Sequence, residues 1–421
     1  METIKAVRGF KDILPGETER WQFVEDTARK VFSDFGFKEI KVPILEKTDL
    51  FRRSIGETTD IVEKEMYTFE DRGGESLTLR PEATASVMRA YLEHNLHASD
   101  TVCKLFTFGP MFRRERPQKG RYRQFHQINV ELLGSGDPLV DAEVIYMLML
   151  FLGRLRLTDL GLEINSLGCP ECRPAFRKVL GEYLADRKET LCGDCRRRLD
   201  TNPLRVFDCK VKDCRAAVAA APFIIDYVCS KCGEHFREVQ EGLKALETAF
   251  TVNPRMVRGL DYYTKTTFEV TTKSLGAQNA VAGGGRYDRL VEDLGGPAVP
   301  GIGFAAGVER LISLLPAVME GIVRSPDLYI AALGPEARKL AFLICNGLRK
   351  EGFLAETDYS NRSLKSQMKR SDKLGARYTL LLGENEIRDG KAFLRNMKGG
   401  SQNPVSLDDM ERQLVSLLKE R

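Results

Sequence analysis

Residues 111–134, MFRRERPQKGRYRQFHQINVELLG, have the pattern of two strands joined by a basic loop. In the second half apolar and polar residues alternate, so residues two apart share one face of a β-strand. The two faces carry different side chains: Ile128, Val130 and Leu132 on one, and Gln127, Asn129 and Glu131 on the other. The pattern predicts a sheet with one face packed against a core and one polar face.

The loop between these strands concentrates cations, which are Arg113, Arg114, Arg116, Lys119, Arg121 and Arg123. A run of charge is usually only a solvated face. The neighbouring strand changes this interpretation, because Arg113 and Glu115 would meet its amide and carboxylate side chains on one surface. Such groups are costly to bury without partners, so they favour a pocket for a small zwitterion and a polyphosphate.

The composition is that of a multidomain protein without a strong overall charge. A chain of 421 residues predicts two or three domains. Its net charge is only +4, so a polyanion would have to meet local basic patches. The N-terminal stretch has no apolar signal region and no apolar run is long enough to span a membrane, so we expect a cytoplasmic protein. Its cysteines would then be reduced, and closely spaced pairs are interpreted first as metal sites.

Three regions differ in character along the chain. Residues 1–325 contain the strand and glycine motifs, with a helix predicted at 17–35 and a strand at 37–46. Residues 169–240 hold eight of the ten cysteines and interrupt the first region as an inserted, mostly helical module. From residue 326 onward strands and helices alternate, which predicts a separate α/β domain over 326–421.

Two short segments place polar groups at expected turns, and each has two interpretations. TLRPEATA (78–85) puts Arg80, Glu82 and Thr84 at a strand-to-helix junction. These groups either cap the start of the helix or hold a substrate ammonium group. RGLDYY (258–263) is either an ordinary strand with a surface arginine or part of a pocket.

Two glycine-containing segments allow a ligand to approach the backbone. AGGGRYD (282–288) permits close approach or tight strand crossing, but it lacks the spacing of a phosphate-binding P-loop. GFAAGVERL (303–311) runs from a strand into a helix, and Arg310 lies in the first turns. A helix start is a suitable place for holding phosphate.

Together these segments resemble the signature motifs of class II aminoacyl-tRNA synthetases. The hairpin at 111–134 is similar to the second motif of that family, and GIGFAAGVERL is similar to the third. IKVPILEKTDLFRR (40–53) resembles the first motif, which forms the dimer interface of the family around a proline, here Pro43. VRGLDYYTKTTFE and GAQNAVAGGGRYDRL resemble the two peptides that set histidyl-tRNA synthetases apart from their relatives.

This resemblance implies a fold and an activity. The fold is an α+β catalytic domain built on a mixed, mainly antiparallel sheet, with the cysteine-rich insertion and a C-terminal α/β domain that binds the anticodon. The activity is that of a histidine–tRNA ligase in protein biosynthesis. L-Histidine and ATP give histidyl-adenylate and pyrophosphate, and histidine then passes to the 3′ end of tRNA(His). The family also implies a homodimer.

The resemblance further assigns a histidine site, made of Glu82, Ala83, Thr84, Arg113, Gln127, Glu131, Arg258, Tyr262 and Tyr263. Glu82, Thr84 and Gln127 would hold the α-ammonium group. Glu131 and Tyr263 would bracket the two imidazole nitrogens. A pocket that hydrogen-bonds both nitrogens can reject other side chains by ~10⁴ or more.

The same resemblance assigns residues that bind ATP and tRNA. The ATP-binding residues would be Arg113, Glu115, Arg121, Arg123 and Arg310, with Mg²⁺ on the leaving pyrophosphate. Arg258, together with Arg113, would be catalytic, as a fixed cation on the carboxylate and the α-phosphate. Arg116 and Gln118 at the loop tip would contact the acceptor end of the tRNA. One departure is Ala83, which stands where the family usually has glycine.

The insertion carries its cysteines as four pairs: Cys169 and Cys172, Cys192 and Cys195, Cys209 and Cys214, and Cys229 and Cys232. This spacing is typical of structural zinc, and the pairs could form one or two tetrahedral sites. Thiols without metal are the alternative, and the spacing leaves the combination of the pairs open. The basic residues of the insertion favour either contact with tRNA or a solvated face.

Two other functions compete with the ligase. The first is the synthetase-like regulatory subunit of ATP phosphoribosyltransferase, but such paralogues typically lose the catalytic arginine and the C-terminal domain. The second is a zinc-dependent nucleic-acid-binding module, which would account only for residues 169–232. Histidine-dependent exchange between pyrophosphate and ATP would separate the ligase from both.

Overall fold

The chain divides into two compact units, residues 1–319 and residues 320–421. A computed structural model describes residues 3–57, 59–99, 101–117, 120–275, 279–317, 319 and 321–419. None of the helices in these ranges is both long and apolar enough to cross a membrane.

The larger unit is built on two sheets. Its described strands are β1 (Lys38–Glu39), β2 (Leu45–Lys47), β3 (Tyr67–Glu70), β4 (Ser76–Leu79), β5 (Cys103–Phe112), β6 (Gln124–Leu133), β7 (Leu160–Ser166), β8 (Thr251–Val252), β9 (Thr264–Thr272), β10 (Ala280–Arg286) and β11 (Gly301–Gly307). One sheet has the order β1-β5-β6-β11-β10-β9-β7-β8, and the small sheet has the order β2-β4-β3. In the large sheet β1 and β5 are parallel, as are β7 and β8, and the other pairs are antiparallel. The prediction of a mixed, mainly antiparallel sheet is confirmed.

Helices cover the apolar face of the large sheet. The described α-helices of this unit are α1 (Thr18–Asp34), α2 (Thr48–Ile55), α3 (Thr84–Glu93), α4 (Leu96–Ser99), α5 (Pro138–Arg154), α6 (Arg173–Ala185), α7 (Gly193–Thr201), α8 (Lys212–Ala217), α9 (Ser230–Ala245), α10 (Leu290–Asp293) and α11 (Val308–Leu314). Phe32 of α1 meets Phe151 of α5 and Phe106 of β5, each with ring centroids 5.4 Å apart. Such aromatic pairs add about 0.5–1.5 kcal/mol beyond the area that they bury. This contact joins both helices to the sheet.

The hairpin formed by β5 and β6 has the predicted alternation. Ile128, Val130 and Leu132 are fully buried in the core under α1 and α5. Residues of the opposite parity, including Gln127 and Glu131, line a cavity on the other face. The strands pair antiparallel along their whole length, and the basic loop connects them. The parity of the sequence therefore placed the core and the cavity correctly.

The strand predicted at 37–46 is interrupted. It forms β1 in the large sheet and contributes only its end to β2 in the small sheet. Pro43 lies between them and has no N–H to donate to a strand partner. The guanidinium group of Arg80 donates to the Val42 carbonyl at 3.1 Å. At Val42 the carbonyl group therefore bonds to a buried arginine side chain and not to the backbone of a neighbouring strand.

The insertion is mostly helical, as predicted, with α6 to α9 and a 3₁₀ helix at Pro203–Asp208. Its last helix, α9, continues to Ala245. Phe236, Val239 and Leu243 of this helix pack in the core of the large sheet. The insertion therefore shares its final helix with the rest of the unit, a connection that the cysteine pattern did not reveal.

The smaller unit is an α/β domain, as predicted. Its described elements are β12 (Leu328–Ala332), α12 (Pro335–Lys350), β13 (Ala355–Thr357), α13 (Leu364–Leu374), β14 (Tyr378–Leu382), α14 (Glu384–Arg388), β15 (Lys391–Asn396), β16 (Gln402–Ser406) and α15 (Met410–Lys419). The sheet has the order β13-β12-β14-β15-β16. Its first three strands are parallel, whereas β15 and β16 form an antiparallel hairpin at one edge. This hairpin lies outside the strand–helix alternation that predicted the domain.

Candidate active site

A cavity of about 260 Å³ opens on the polar face of the large sheet. One row of paired residues crosses the strands beneath it and runs Asn129, Ala305, Gly283 and Glu269. Residues paired across strands share a face, so the two small residues leave space between the two long ones. The sheet thus provides a depression with polar side chains at both edges.

Two glycines in this depression are required by their neighbours. A Cβ atom at Gly303 would overlap the Glu131 carboxylate and the Val130 carbonyl. A Cβ atom at Gly283 would overlap the guanidinium group of Arg258. Gly283, in the glycine run, therefore leaves room for a side chain of this chain, a use that differs from the ligand approach and the tight strand crossing predicted for the run.

Glu131 is the buried carboxyl group of the site, with 1% of its surface exposed. It accepts a hydrogen bond from the Thr84 hydroxyl at 2.7 Å and a short one from the Tyr287 hydroxyl. Burial raises its pKa to about 8, although the hydrogen bonds from Tyr287 and Thr84 lower it. The carboxyl group therefore binds a proton at neutral pH and can donate or accept a hydrogen bond.

The Glu82 carboxylate caps the start of a helix, which is the first of the two interpretations of its segment. It accepts the backbone N–H groups of Thr84 at 2.7 Å and Ala85 at 2.9 Å, at the start of α3. It also lines the cavity, and burial raises its pKa while these hydrogen bonds lower it. Ala83 is fully buried at the helix start and is not part of the lining.

The Gln127 amide oxygen is buried and has no hydrogen-bond partner among the described residues. Gln127 lies on the same cavity wall as Glu82 and Thr84. A buried acceptor without a partner costs about 1–3 kcal/mol, unless a ligand supplies the donor. The wall is therefore suited to a group with several N–H donors, such as an ammonium.

The RGLDYY segment is a loop that leads into β9, so the alternative of an ordinary surface strand is wrong. Tyr262 and Tyr263 are buried with ring centroids 4.7 Å apart, and both line the cavity. Arg258 forms a short ion pair with Glu269, and its guanidinium carbon lies 5.9 Å from the Tyr263 ring centroid. A cation is thus fixed beside the aromatic wall.

Three further arginines, Arg113, Arg121 and Arg310, also line the cavity. Arg113 donates to the Pro81 carbonyl at 2.9 Å, and its guanidinium group lies 5.3 Å from the Phe125 ring centroid. Arg310 donates to the Ala280 carbonyl at 2.6 Å. Burial, followed by the charge of Arg121, lowers the pKa of Arg310. Guanidinium groups held this close together favour a polyanion between them.

The remaining residues of the basic loop differ in whether they line the cavity. Arg121 lines the cavity and forms a 2.7 Å ion pair with Glu115. Arg123 is not among the lining residues; its backbone N–H donates to the Gly9 carbonyl at 2.8 Å and its side chain to the Glu115 carbonyl at 3.3 Å. Arg116 is exposed, and Gln118 lies outside the described residues.

Several lining residues were absent from the predicted site, among them Phe125, Asn129, Glu269 and Tyr287. Phe125 and Asn129 share the strand parity of Gln127, so alternation could have identified them. The signal for Tyr287 was weaker, because it directly follows Arg286 in the glycine segment. Glu269 could be recognised only after β9 was paired with β10.

A buried charge network supports the end of β10 at Arg286. Arg286 is fully buried and forms a 2.8 Å ion pair with Asp141 of α5. The other Asp141 oxygen lies 2.8 Å from Nε2 of His235 in α9. Arg286 also pairs with Asp288 at 3.2 Å. These contacts tie the sheet, α5 and α9 together.

The eight cysteines of the insertion form two clusters. Cys169, Cys172, Cys229 and Cys232 form the first, and Cys192, Cys195, Cys209 and Cys214 form the second. Within each cluster all four sulfur atoms lie within 4.8 Å of one another. The cysteines are free thiols. The pairs therefore combine as two groups of four, which the spacing alone had left open.

Known proteins match this chain over both units. The profile of the histidyl-tRNA synthetase family matches residues 9–178 and 209–311, and that of the anticodon binding domain matches residues 327–417. The histidine–tRNA ligase of Trichlorobacter lovleyi is 58% identical over 406 residues, which cover 96% of each chain.

Two solved structures extend the comparison. The apo histidyl-tRNA synthetase of S. aureus has a TM-score of 0.83 at 36% identity, over 98% of this chain and all of the other. A Bacillus halodurans protein described as an ATP phosphoribosyltransferase regulatory subunit/histidyl-tRNA synthetase has a TM-score of 0.65 at 19% identity, over 91% of this chain and 98% of its own. The second similarity shows the fold alone. The matched profile and the identity over nearly the full length show that this chain belongs to the histidyl-tRNA synthetase family.

Proposed function

We propose that this protein is a histidine–tRNA ligase that forms histidyl-adenylate from L-histidine and ATP and then charges tRNA(His). The observation that carries the proposal is the cavity itself. Buried acceptors, tyrosines and the guanidinium groups of four arginines line this one cavity, and Arg258 lies beside the Tyr263 ring. A cavity with both kinds of group can hold a small amino acid against the phosphate of a nucleotide.

The α-ammonium group of histidine is assigned to Glu82, Thr84 and Gln127. Its three N–H donors match the acceptors on this wall, including the Gln127 oxygen that has no other partner within the described chain. The Glu82 carboxylate supplies negative charge close to the ammonium. Ala83 contributes through its backbone, because its side chain points into the core.

The imidazole ring is assigned to the pocket between Glu131, Tyr262 and Tyr263. A neutral imidazole has one donor and one acceptor nitrogen, so it needs a partner of each kind. The Glu131 carboxyl group and the Tyr263 hydroxyl can supply both, and Tyr287 holds Glu131 in place. A side chain without two ring nitrogens would leave these buried groups unpaired, which gives the site its specificity.

The phosphates of ATP are assigned to Arg113, Arg121 and Arg310. Arg113 would lie on the α-phosphate, and the other two toward the outer phosphates. Arg123 is assigned a supporting role in the basic loop. It does not line the cavity, and its side chain donates to the Glu115 carbonyl. Adenosine would then lie beside Phe125 and Glu115.

Mg²⁺ fits the carboxylate groups near this end of the cavity. Glu115 and Glu269 both line it and offer the hard oxygen ligands that Mg²⁺ prefers. These two residues would hold the ion. When bound, it would neutralise charge on the pyrophosphate.

The chemical step needs no nucleophile from the protein. A carboxylate oxygen of histidine attacks the α-phosphorus, and the bond from that phosphorus to the pyrophosphate oxygen breaks. Arg258 and Arg113 are assigned as fixed cations that stabilise the charge gathered on the α-phosphate, and they need not reorganise during the reaction. A ribose hydroxyl of tRNA then attacks the activated carbonyl and releases AMP.

The tRNA is assigned to two surfaces. The basic loop, with Arg116 and Gln118, would contact the acceptor end, and Arg116 is exposed as this requires. In the smaller unit, α13 exposes a row of cations: Lys365, Lys369, Arg370 and Lys373. Gln367 and Ser371 of the same helix are buried, so the cations share its outer side. This side would track the phosphates of the anticodon stem.

A homodimer is assigned through the segment around Pro43. Ile44 and Leu45 are 42% and 39% exposed, and Phe69 of the same small sheet is 47% exposed. Neighbouring exposed apolar side chains favour a protein partner. A second copy of this chain is the partner that the family implies.

Histidine-dependent exchange of labelled pyrophosphate into ATP tests the proposal. The purified protein should catalyse this exchange with L-histidine and not with the other amino acids, and it should charge tRNA(His). A regulatory subunit would bind histidine without exchange. Histidine binding without pyrophosphate exchange would therefore favour the regulatory subunit over the ligase.

A further inference from the structure

The geometry of the two cysteine clusters matches that of zinc sites. Four sulfur atoms about 2.3 Å from a tetrahedral zinc ion lie about 3.8 Å from one another. In the first cluster Cys172 lies 3.4 Å from Cys169 and 3.9 Å from Cys232. In the second, Cys192 lies 3.8 Å from Cys209. These separations are too long for disulfides, whose sulfur atoms lie about 2.05 Å apart, and they suit a shared central ion.

Backbone donors support the thiolate form in both clusters. The N–H of Cys229 donates to the Cys172 sulfur at 3.0 Å, and the N–H of Cys192 donates to the Cys214 sulfur at 3.1 Å. Hydrogen bonds of this kind to ligand atoms orient them and stabilise their charge around a metal. In each cluster, therefore, a backbone N–H group donates to one of the four cysteine sulfur atoms.

Each cluster is connected through an arginine to the loop 258–263, which carries Arg258, Tyr262 and Tyr263. At the first cluster, Arg173 directly follows Cys172 in the chain. Its guanidinium group donates to the Tyr263 carbonyl and, at 3.3 Å, to the Leu167 carbonyl. The first cluster therefore fixes the end of the loop at the point where it enters β9.

At the second cluster, the contacts come from the segment between Cys195 and Cys209. Arg205 donates to the Asp261 carboxylate at 3.0 and 3.1 Å and to the Gly259 carbonyl at 2.8 Å. Asn202 donates to the same carboxylate at 3.0 Å. Both ends of this segment are ligands of the second cluster. An ion there would set the position of Arg205 and, through Asp261, of the loop.

We propose that the insertion binds two Zn²⁺ ions, one in each cluster, and that together they position the loop 258–263 for histidine binding. Arg173 and Arg205 are positioning residues, because they touch the loop and line its outer side rather than the cavity. The profile of the family leaves residues 179–208 unmatched, and these contain Cys192, Cys195 and Arg205. Two of the four cysteines of the second site, together with Arg205, therefore lie outside the matched family regions.

The metal content tests the sites without reference to activity. The full chain, purified under reducing conditions without chelators or metal-affinity resin, should contain two zinc ions per chain by mass spectrometry of the metal. Cys169→Ser and Cys192→Ser should each reduce the content to one, and the double variant to none. Cys345→Ala, in the smaller unit, is the matched control and should retain two.

If the cysteine variants fail to fold, a spectroscopic measurement on the wild-type chain still tests for the two metal sites. Cobalt exchanged into the protein should show the absorption of tetrahedral Co²⁺ with four thiolate ligands, at two ions per chain. A folded wild-type protein without zinc, or cobalt in an octahedral oxygen environment, would overturn the proposal.

The effect on the loop rests on the proposed function and is measured separately. Arg205→Ala should keep both zinc ions and raise the KM for histidine in pyrophosphate exchange by about ten- to a hundredfold, because small displacements of positioning groups are costly. The KM for ATP should change little, and Arg205→Lys should restore part of the loss. Cys192→Ser should raise the KM for histidine in the same way.

An unchanged KM for histidine in Arg205→Ala would refute the positioning role and leave the zinc sites standing. Absence of exchange in the wild-type protein would refute the proposed function instead. The metal content is unaffected by either result, so the failures can be told apart.

Discussion

The two units of this protein bury polar side chains of different kinds. The larger unit buries charged or titratable groups, including Glu82, Glu131 and the Arg286–Asp141 pair. In the smaller unit, the buried polar side chains among residues 321–419 are uncharged, such as Gln367 and Thr379. Burying an ion costs several kcal/mol, so a fold tolerates it where the ion has a fixed partner or a ligand to bind.

This difference indicates what kind of ligand each unit is suited to bind. The larger unit directs charges of its site inward, into a cavity of low polarisability where their field is stronger than in bulk water. The smaller unit keeps its cations outside on α13, where they can meet a long polyanion. Substitutions that exploit this contrast should therefore affect stability and turnover in the first unit, and salt-dependent binding in the second.

Breaking the buried pair should have the largest effect on stability. Asp141→Ala leaves the buried Arg286 with Asp288 as its remaining charged partner among the described residues and should lower the free energy of unfolding by about 3–5 kcal/mol. Gln367→Ala, which leaves the Ala332 backbone groups without their side-chain partner, should cost about 1–3 kcal/mol. Chemical denaturation of the two variants measures both. Equal losses of unfolding free energy in the two variants would contradict the proposed difference between the units.

Removing the fixed cation of the cavity should have the next largest effect. Arg258→Ala should lower kcat for adenylate formation by about 10²–10³ and leave the KM for histidine nearly unchanged, because its charge acts mainly in the transition state. Arg255→Ala, three residues away and exposed, is the matched control and should keep full turnover. Unimpaired turnover in Arg258→Ala would contradict the assigned role.

The buried carboxyl group should make the stability of the ligand-free protein depend on pH. The pKa of Glu131 rises from 4.5 to about 8 on folding, so the folded state holds a proton that the unfolded state has released. Wild-type stability should therefore fall as pH rises from 4.5 to 8, by at most about 1.4 kcal/mol per pH unit, and level off above 8.

Glu131→Gln cannot titrate and should lack this fall. The difference in unfolding free energy between the variant and the wild type should grow between pH 4.5 and 8 and stay constant above 8. Denaturation curves at four or five pH values measure it. A difference that is independent of pH would show that the carboxyl group is not perturbed.

The smallest effect is expected on the exposed helix of the second unit. Lys369→Ala should reduce the slope of the logarithm of tRNA affinity against the logarithm of salt concentration by about 1, because one phosphate contact is lost. Pyrophosphate exchange should be unaffected. Lys398→Ala, at the turn between β15 and β16, is the control. An unchanged slope in Lys369→Ala would exclude α13 from the tRNA surface.

Local patterns predicted much of the cavity. Strand parity separated Gln127 and Glu131 from the buried Ile128, because a period of two assigns faces directly. The strand at 37–46 was overestimated, since its interruption depends on Pro43 and on a distant arginine. Arg123 resembles its neighbours in sequence, yet it packs against Gly9. Adjacent loop residues have no periodicity that fixes where they point.

The amino-acid sequence by itself determined the kinds of elements, the apolar and polar faces of β6, the domain order and the presence of eight paired cysteines. Tertiary structure alone decided which cysteines share a cluster, that Glu269 meets Arg258, and that Asp141 meets both Arg286 and His235. The reason is physical. Periodicity records the orientation of a residue within its own element, whereas contacts between distant segments depend on how the elements pack, and only the folded chain specifies that.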